Sequence, residues 1–466
     1  MKSKHIISLI VASIIFVWFA WFSSDINGLS PQGKAVLGVA LFAIIIWITG
    51  AVEDALSGIL VIFLLTIAKV TPISGALSGY SNSALWLLVI GFIMAACMEK
   101  SGLSKRIAFV LVNWSNGSIY KIYWAIALAI LILTFLVPSI TARVLLMLPI
   151  ILGISQALHC KRMQSNITKA MLFIVAMSGT IMSAAVLTAH AANPITAGLI
   201  ELSTGETISW SGWFKVAGLP ALLLSVISVF VIGVIWKPEM ADANYAKNYI
   251  QQELVQLGKI SRHEKYTLAI FILTLLLWAT DSLHKVPVVV VGFMCVILLL
   301  WPGVGALSWK EAQNKIPWSV FILYGAGLSL GAALVSSGAA KWLADAVLSP
   351  ITHYQPSTQI VIIIWGITLL QLFFTGGGPK TTALTPIIIA FAISTGQDPV
   401  ILALIVGMNM VHQYVLPVSN MPNIVIIGTQ QLTTGEMVKT GIVMSLLATS
   451  FMSLMVYSYW PWIGVL

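Results

Sequence analysis

The chain has 466 residues, 59% of them hydrophobic and only 8% charged, where soluble proteins run near 45–50% and about 25%. So few charges cannot cover a soluble surface of this size, which excludes a soluble enzyme, a secreted disulfide scaffold and a disordered chain, and leaves a polytopic helical membrane protein. The net charge of +9 calls for no nucleic acid, because membrane proteins gather Lys and Arg in cytoplasmic loops. Cys97, Cys160 and Cys295 are scattered and lack disulfide or zinc spacing.

The amino-terminal segment opens on basic MKSKH and runs into an apolar stretch with no small-x-small cleavage site, the pattern of an uncleaved first span. Apolar runs follow near 35–51, 55–70, 84–98, 120–157, 166–190, 213–236, 266–283, 286–301, 317–336, 357–395, 398–418 and 440–463. Runs 120–157 and 357–395 are too long for one helix and are interrupted by PSITAR and TGGGPKTT. Their returning arms hold only about 13–15 apolar residues, short of the ~20 that cross a bilayer, so both read as re-entrant hairpins, the alternative being a pair of ordinary spans each. Segments 103–114 and 339–348 are short and amphipathic and read as helices lying in each interface. Trp460 and Trp462 read as interfacial anchors.

The expected fold is all-α, with 11 spans, the amino terminus inside, the carboxy terminus outside, and two hairpins. This arrangement puts 17 Lys and Arg inside and five outside, with Arg143 and Lys380 at the tips, as the positive-inside rule requires. It divides the chain into a first span (1–33), a first repeat (34–237, hairpin 120–157), a polar cytoplasmic linker (238–265) and a second repeat (266–466, hairpin 357–395). Ser101, Gly102 and Lys105 fall 236 residues before Ser337, Gly338 and Lys341, and Arg143 and Pro149 fall 237 before Lys380 and Pro386. Asn193 and its LSTGE fall 230 before Asn423 and its LTTGE. Each unit holds five crossings and one hairpin, an odd number, so the second copy is inverted. Inverted repeats mark secondary transporters with a midplane site at the repeat interface.

TAHAANPITAG (188–198) and PVSNMPNIVIIG (417–428) are rich in Pro, Asn and small residues within apolar helix, and read as unwound segments facing the tips, a structure tolerated at membrane depth only where it lines a cavity. All fifteen carboxylates fall in predicted loops or at span ends, Asp281 and Asp398 at the ends of their runs, so no intramembrane acid is offered as a proton relay. The tip charges are cationic instead, and a buried cation needs a partner. The absence of a neighbouring carboxylate in the pattern points to an anionic substrate as that partner, the alternatives being snorkelling to the interface or pairing with backbone carbonyls. Arg143 offers a bidentate fork and Lys380 a compact point charge. Gly376, Gly377 and Gly378 can turn N–H groups toward an oxyanion. Ser139, Thr141, Thr381, Thr382, Asn193 and Asn423 complete the expected substrate site, with His190, Pro194, Asn420 and Pro422 as neighbours. His412 reads as a structural histidine. No metal site is expected, nor the nucleophile–base pair of an intramembrane enzyme; a channel, the other class, would lack saturable counterflow.

The order and spacing of these segments resembles the divalent anion/sodium symporter family, the dicarboxylate and citrate carriers, over essentially the whole chain. In that family each tip carries Ser-Asn-Thr and each broken helix a Pro/Asn segment. Here VPSITARVLLMLPI keeps Ser139 and Thr141 but has Ile140 in place of Asn, and Arg143 is similar to the branch of citrate/succinate and plant oxoglutarate/malate exchangers. At the second tip Gly376, Gly377 and Gly378 lack the side-chain oxygens that family members use around sodium, and Lys380 can fill the vacated cation position. Fixed cations cannot dissociate, so an empty carrier leaves them uncompensated, and obligate exchange follows. The expected function is therefore a sodium-independent exchanger of di- or tricarboxylates such as succinate, malate, fumarate, 2-oxoglutarate, citrate or tartrate. The alternative is a sodium-coupled symporter, and sodium enters only under that reading; no other cofactor is expected. The resemblance also implies a homodimer joined through scaffold helices and an elevator-like transport domain in a bacterial cytoplasmic membrane.

Overall fold

The computed structural model describes residues 3–374 and 376–466; Thr375, the first residue of the expected second tip, lies outside them. The architecture is all-helical. Among the described residues nine helices are long and apolar enough to cross a membrane, among them Pro31–Thr49, Ser83–Ser101, Trp210–Ile235 and Trp318–Ser336, and the protein is a multi-pass membrane protein. Asp54–Ile67, Val288–Leu299, Pro356–Leu370 and Pro399–Asn409 are apolar but shorter, so the full set of 11 expected spans is not met by length alone.

Local chemistry explains where these helices start and stop. Ser30, Ser165 and Ser209 each accept a backbone N–H of the first turn that follows, satisfying donors that a helix leaves free. Ser261, Ser308 and Thr433 form reciprocal capping boxes with Glu264, Glu311 and Glu436. Gly102 and Gly338, at φ 80° and 76°, end Ser83–Ser101 and Trp318–Ser336 in the left-handed conformation that glycine adopts without strain. Each then opens directly into an amphipathic helix, Leu103–Asn113 or Ala339–Leu348, the two segments expected to lie in the interfaces.

The hairpin arms are longer than their apolar runs suggested. Ile119–Leu136 and Ile140–Ala157 flank the first tip, and Pro356–Leu370 and Gly377–Ser394 the second; both returning helices have 18 residues. The polar residues expected to form the turns are instead the first helical turns, and Pro149 and Pro386 sit inside the helices without ending them. Both cations consequently occupy the fourth residue of a helix.

The breaks also begin earlier than the Pro/Asn segments. Asn166–Phe173, a π-helical turn at Ile174–Ser178 and Gly179–Ala185 form one run, which opens at Val186 and resumes as Ala192–Thr204. Pro399–Asn409 opens at Met410, passes a 3₁₀ turn at Pro417–Ser419, and resumes as Met421–Gly428. Most of 192–198 and 421–428 is thus the helix that follows each break. The reason is proline's tolerance of the first helical turn, where its missing N–H costs nothing.

The linker is more structured than its polarity suggests. Asn244–Leu257 is a helix packed on Leu103–Asn113 and Ile140–Ala157. Tyr249 covers Gly153 so closely that a Cβ there would overlap its ring, and it meets Phe109 edge-on at 6.3 Å. Lys105 pairs with Glu253 at 3.3 Å. Arg106 bonds the carbonyls of Leu257, Gly258 and Lys259 and forks onto Glu264.

Candidate anion-binding site

Each break is held open by an asparagine. The Asn193 side-chain N–H₂ donates to the carbonyls of Ser183 (2.8 Å) and Val186 (2.9 Å), the second of which also accepts the Ala189 N–H (2.9 Å) across the break. Asn423 does the same for Gln413 (3.2 Å) and Leu416 (3.1 Å). All three positions in the second set lie 230 residues after those in the first. Two expected site residues therefore have their amide nitrogens engaged in holding the backbone, and Asn193 Oδ1 is buried without a partner.

Arg143, 1% exposed, is bonded into its own half. One terminal nitrogen, Nη1, donates to Thr134, and Nη2 donates to Ser183 Oγ (2.6 Å) and the Ala189 carbonyl (3.2 Å). Nε alone has no partner. Both geometric forks of a guanidinium include Nη2, whose two protons are taken here, so the expected bidentate grip on a substrate is not free. Lys380 is different. It is 0% exposed and its ammonium has no hydrogen-bond partner. None of the ion pairs among the described residues involves Arg143 or Lys380.

The first broken helix lies between the tips. Arg143 reaches Ala189 from one side, and on the other a Cβ on Gly377 would stand 3.0 Å from His190 Cε1 and 3.3 Å from the Met410 carbonyl. His190 Nδ1 accepts the Ala192 N–H (3.0 Å) at the restart of the helix, which explains the ring's position. Pro194 and Pro422 are buried in the first turns of their helices. Buried His412 stacks on Tyr414 at 5.7 Å, a packing role.

Other expected contributors are placed less centrally. The Thr381 hydroxyl donates to its own helix at Gly377 O (2.7 Å), and Thr382 packs on Gly327. Gly376 caps the helix at φ 108°, a conformation requiring glycine. Gly378 lies under Tyr324, whose ring a Cβ would overlap. Ser139 caps its helix through the Ala142 N–H and, with Thr141, lines a crevice of about 370 Å³ bounded by Glu99, Lys315 and Pro317. A larger cavity of about 630 Å³, near Glu201, Asp281 and Lys285, touches none of the expected site residues.

Sequence reasoning missed Thr134, Ser183, Gln413 and Tyr324. The available signal was weak: isolated polar side chains inside apolar runs, whose bonding depends on the fold.

The profile described as the sodium:sulfate symporter transmembrane region matches residues 3–466. The chain belongs to this family. A membrane protein from Cupriavidus necator is 30% identical over 462 residues, covering 94% of this chain and 89% of that one. The sodium-dependent dicarboxylate transporter SdcS of Staphylococcus saprophyticus is 28% identical over 484 residues, covering 98% and 92%. Among solved structures, the Alcanivorax borkumensis YdaH transporter aligns with a TM-score of 0.56 at 14% identity over 98% of this chain and 97% of that one. Neisseria gonorrhoeae MtrF, from a class of antimetabolite efflux pumps, aligns at 0.59 and 14% over 97% and 94%. At that identity the likeness is one of fold. The symporter-family membership expected from the tip and Pro/Asn motifs is thereby borne out.

Proposed function

We propose that this symporter-family member carries dicarboxylates across a bacterial cytoplasmic membrane as a sodium-independent exchanger, with Arg143 and Lys380 as fixed positive charges where relatives bind sodium. The observation that carries the reading is the Lys380 ammonium, fully buried and unpartnered. Two further physical facts support it. A cation in the first turns of a helix opposes the helix dipole, and both Arg143 and Lys380 are so placed, an arrangement that a bound anion reverses. The glycine tip offers backbone N–H groups and no side-chain oxygens.

The matching Asn193 and Asn423 bonds support two inverted repeats (34–237 and 266–466) around one site. In this reading the hairpins and broken helices form a transport domain that moves against a scaffold in each protomer of a homodimer. The crevice at Ser139 and Thr141, against the close packing of the second tip on Trp318–Ser336, fits a state open on the side of the first hairpin.

Sodium-coupled symport is the second reading, favoured by the name of the SdcS relative. The two readings separate in proteoliposomes, preloaded or empty, given radiolabelled succinate or 2-oxoglutarate with sodium replaced by choline. Uptake that needs internal dicarboxylate and ignores sodium supports exchange. Uptake into empty vesicles driven by a sodium gradient overturns it.

A further inference from the structure

The hydrogen-bond pattern around the two cations is unequal although the halves share a register. Arg143 bonds Thr134, Ser183 and Ala189. Applying the hairpin offset of 237 and the broken-helix offset of 230, the corresponding positions are Gln371, Gln413 and Ser419. None of these bonds Lys380. Gln371 is engaged elsewhere, donating to Thr368 O (2.7 Å) and Ser445 Oγ (3.2 Å) and accepting from the Tyr414 N–H (3.1 Å). Gln413 Nε2, Ser419 Oγ and the adjacent Asn420 Nδ2 have no partner, and neither does the Lys380 ammonium. All are deeply buried, Lys380 at 0% exposure, Gln413 and Ser419 at 1%, and Asn420 at 7%.

Segment 410–420 runs beside the second tip. Gly377, within a turn of Lys380, lies against the Met410 carbonyl, and Asn423 fastens the Gln413 and Leu416 carbonyls. Unpartnered acceptors exist as well, Asn193 Oδ1 and Asn409 Oδ1, but the charge in this half is an ammonium and the amide donors accompany it. Buried donors without acceptors are costly, and a guest bringing acceptor oxygens removes that cost. A carboxylate brings two oxygens and about four acceptor positions.

We infer that the anion site is lop-sided: one substrate carboxylate is held in the second half by Lys380 with the side-chain amides of Gln413 and Asn420, while Arg143 is a positioning residue that locks the first tip to the first break. The inference rests on the anion-carrier reading and names the contacts that reading leaves open. It makes Gln413 a determinant of affinity that the family's tip motifs do not indicate. The side chain can be altered without losing the tie to Asn423, which uses the Gln413 backbone carbonyl.

The test measures succinate counterflow in proteoliposomes and the succinate-induced rise in melting temperature of the purified protein. Gln413→Leu raises KM at least about tenfold, the worth of one charge-supported hydrogen bond, with Vmax within about twofold. Gln413→Glu has the same shape but gives Lys380 an internal partner. It raises the ligand-free melting temperature and abolishes the succinate response, which loss of a merely structural amide would not do. Asn420→Leu serves as the second variant should Gln413→Leu fail to fold. Wild-type KM in Gln413→Leu, or a retained succinate response in Gln413→Glu, overturns the lop-sided site while leaving the carrier reading intact. Wild-type protein that neither binds nor exchanges any dicarboxylate overturns the carrier reading and this inference with it.

Discussion

Replacing Lys380 with methionine separates what the buried ammonium costs from what it contributes. The side chains are close in volume, so packing changes little, and Lys380 makes no hydrogen bond that the substitution would remove. Placing a lysine at the centre of a membrane helix costs about 2.5–3.5 kcal/mol on insertion scales, so the ligand-free Lys380→Met protein gains stability up to that amount. A hydrogen bond to a charged group is worth about 1.5–3 kcal/mol, which converts to a loss of dicarboxylate affinity of about 10- to 150-fold. The expected result is a pair of opposite shifts: a higher melting temperature without succinate, and a lost or much weakened response to it. Counterflow falls in parallel. A variant that is less stable without ligand, or that exchanges succinate with unchanged KM, refutes the assignment of Lys380 as a fixed counter-charge.

Three further outcomes follow from the geometry. Gly378→Ser restores a hydroxyl of the family's tip motif but drives a Cβ into Tyr324, an overpacking cost of about 1–3 kcal/mol; thermal unfolding detects it, Tyr324→Ala relieves it, and wild-type stability in the single variant sinks the steric argument. Asn193→Leu and Asn423→Leu each remove two hydrogen bonds and leave one buried carbonyl, Ser183 or Gln413, without a partner, destabilising by about 1–3 kcal/mol, equally because the two bonding patterns match, so a large inequality in melting temperature counts against equivalent breaks. Burial acts to raise the Glu264 carboxyl's pKa, but the Arg106 guanidinium and the Ser261 cap hold it below the usual range. Its contribution is therefore complete above the unfolded pKa of about 4.3 and is lost as pH falls through the lower folded value. The melting-temperature gap between wild type and Glu264→Gln closes on acidification toward pH 4 and below; a gap constant with pH contradicts this.

Much of this architecture was legible because lipid imposes simple rules. Apolar length located most of the helices, and the repeated spacing of Arg143 with Lys380 and Asn193 with Asn423 fell on matching places, the fourth residue of a helix and the amide that bridges a break. Element boundaries were harder. The polar ITAR and GPKTT residues belong to helices because a first turn tolerates polar side chains and proline, and composition does not distinguish that turn from a loop. The unequal state of the two cations was hidden for another reason. Whether Arg143 has free protons depends on Ser183 and Ala189, brought to it by tertiary folding, and nothing in the local sequence marks Ser183 as a partner and Gln413 as an orphan. The linker helix escaped notice because its stability comes from Tyr249 fitting over Gly153, a contact between segments nearly a hundred residues apart.

That linker ties the first hairpin to the helix Leu103–Asn113. The Gly117–Ile119 turn at the base of the first hairpin bonds the stretch leading into Asn244–Leu257 at Ala241 and Ala243, and Arg106 grips the other end at Leu257 to Lys259. A displacement of the hairpin relative to Leu103–Asn113 must therefore load this helix as a strain gauge, pulling its two anchors apart or rotating it between them. Val255, 80% exposed on its outer face, accepts a label without disturbing either anchor once partly exposed Cys160 is replaced, Cys97 and Cys295 being buried. Under the proposed exchange mechanism, a label at Val255 reports movement of the first hairpin from a site remote from Arg143 and Lys380.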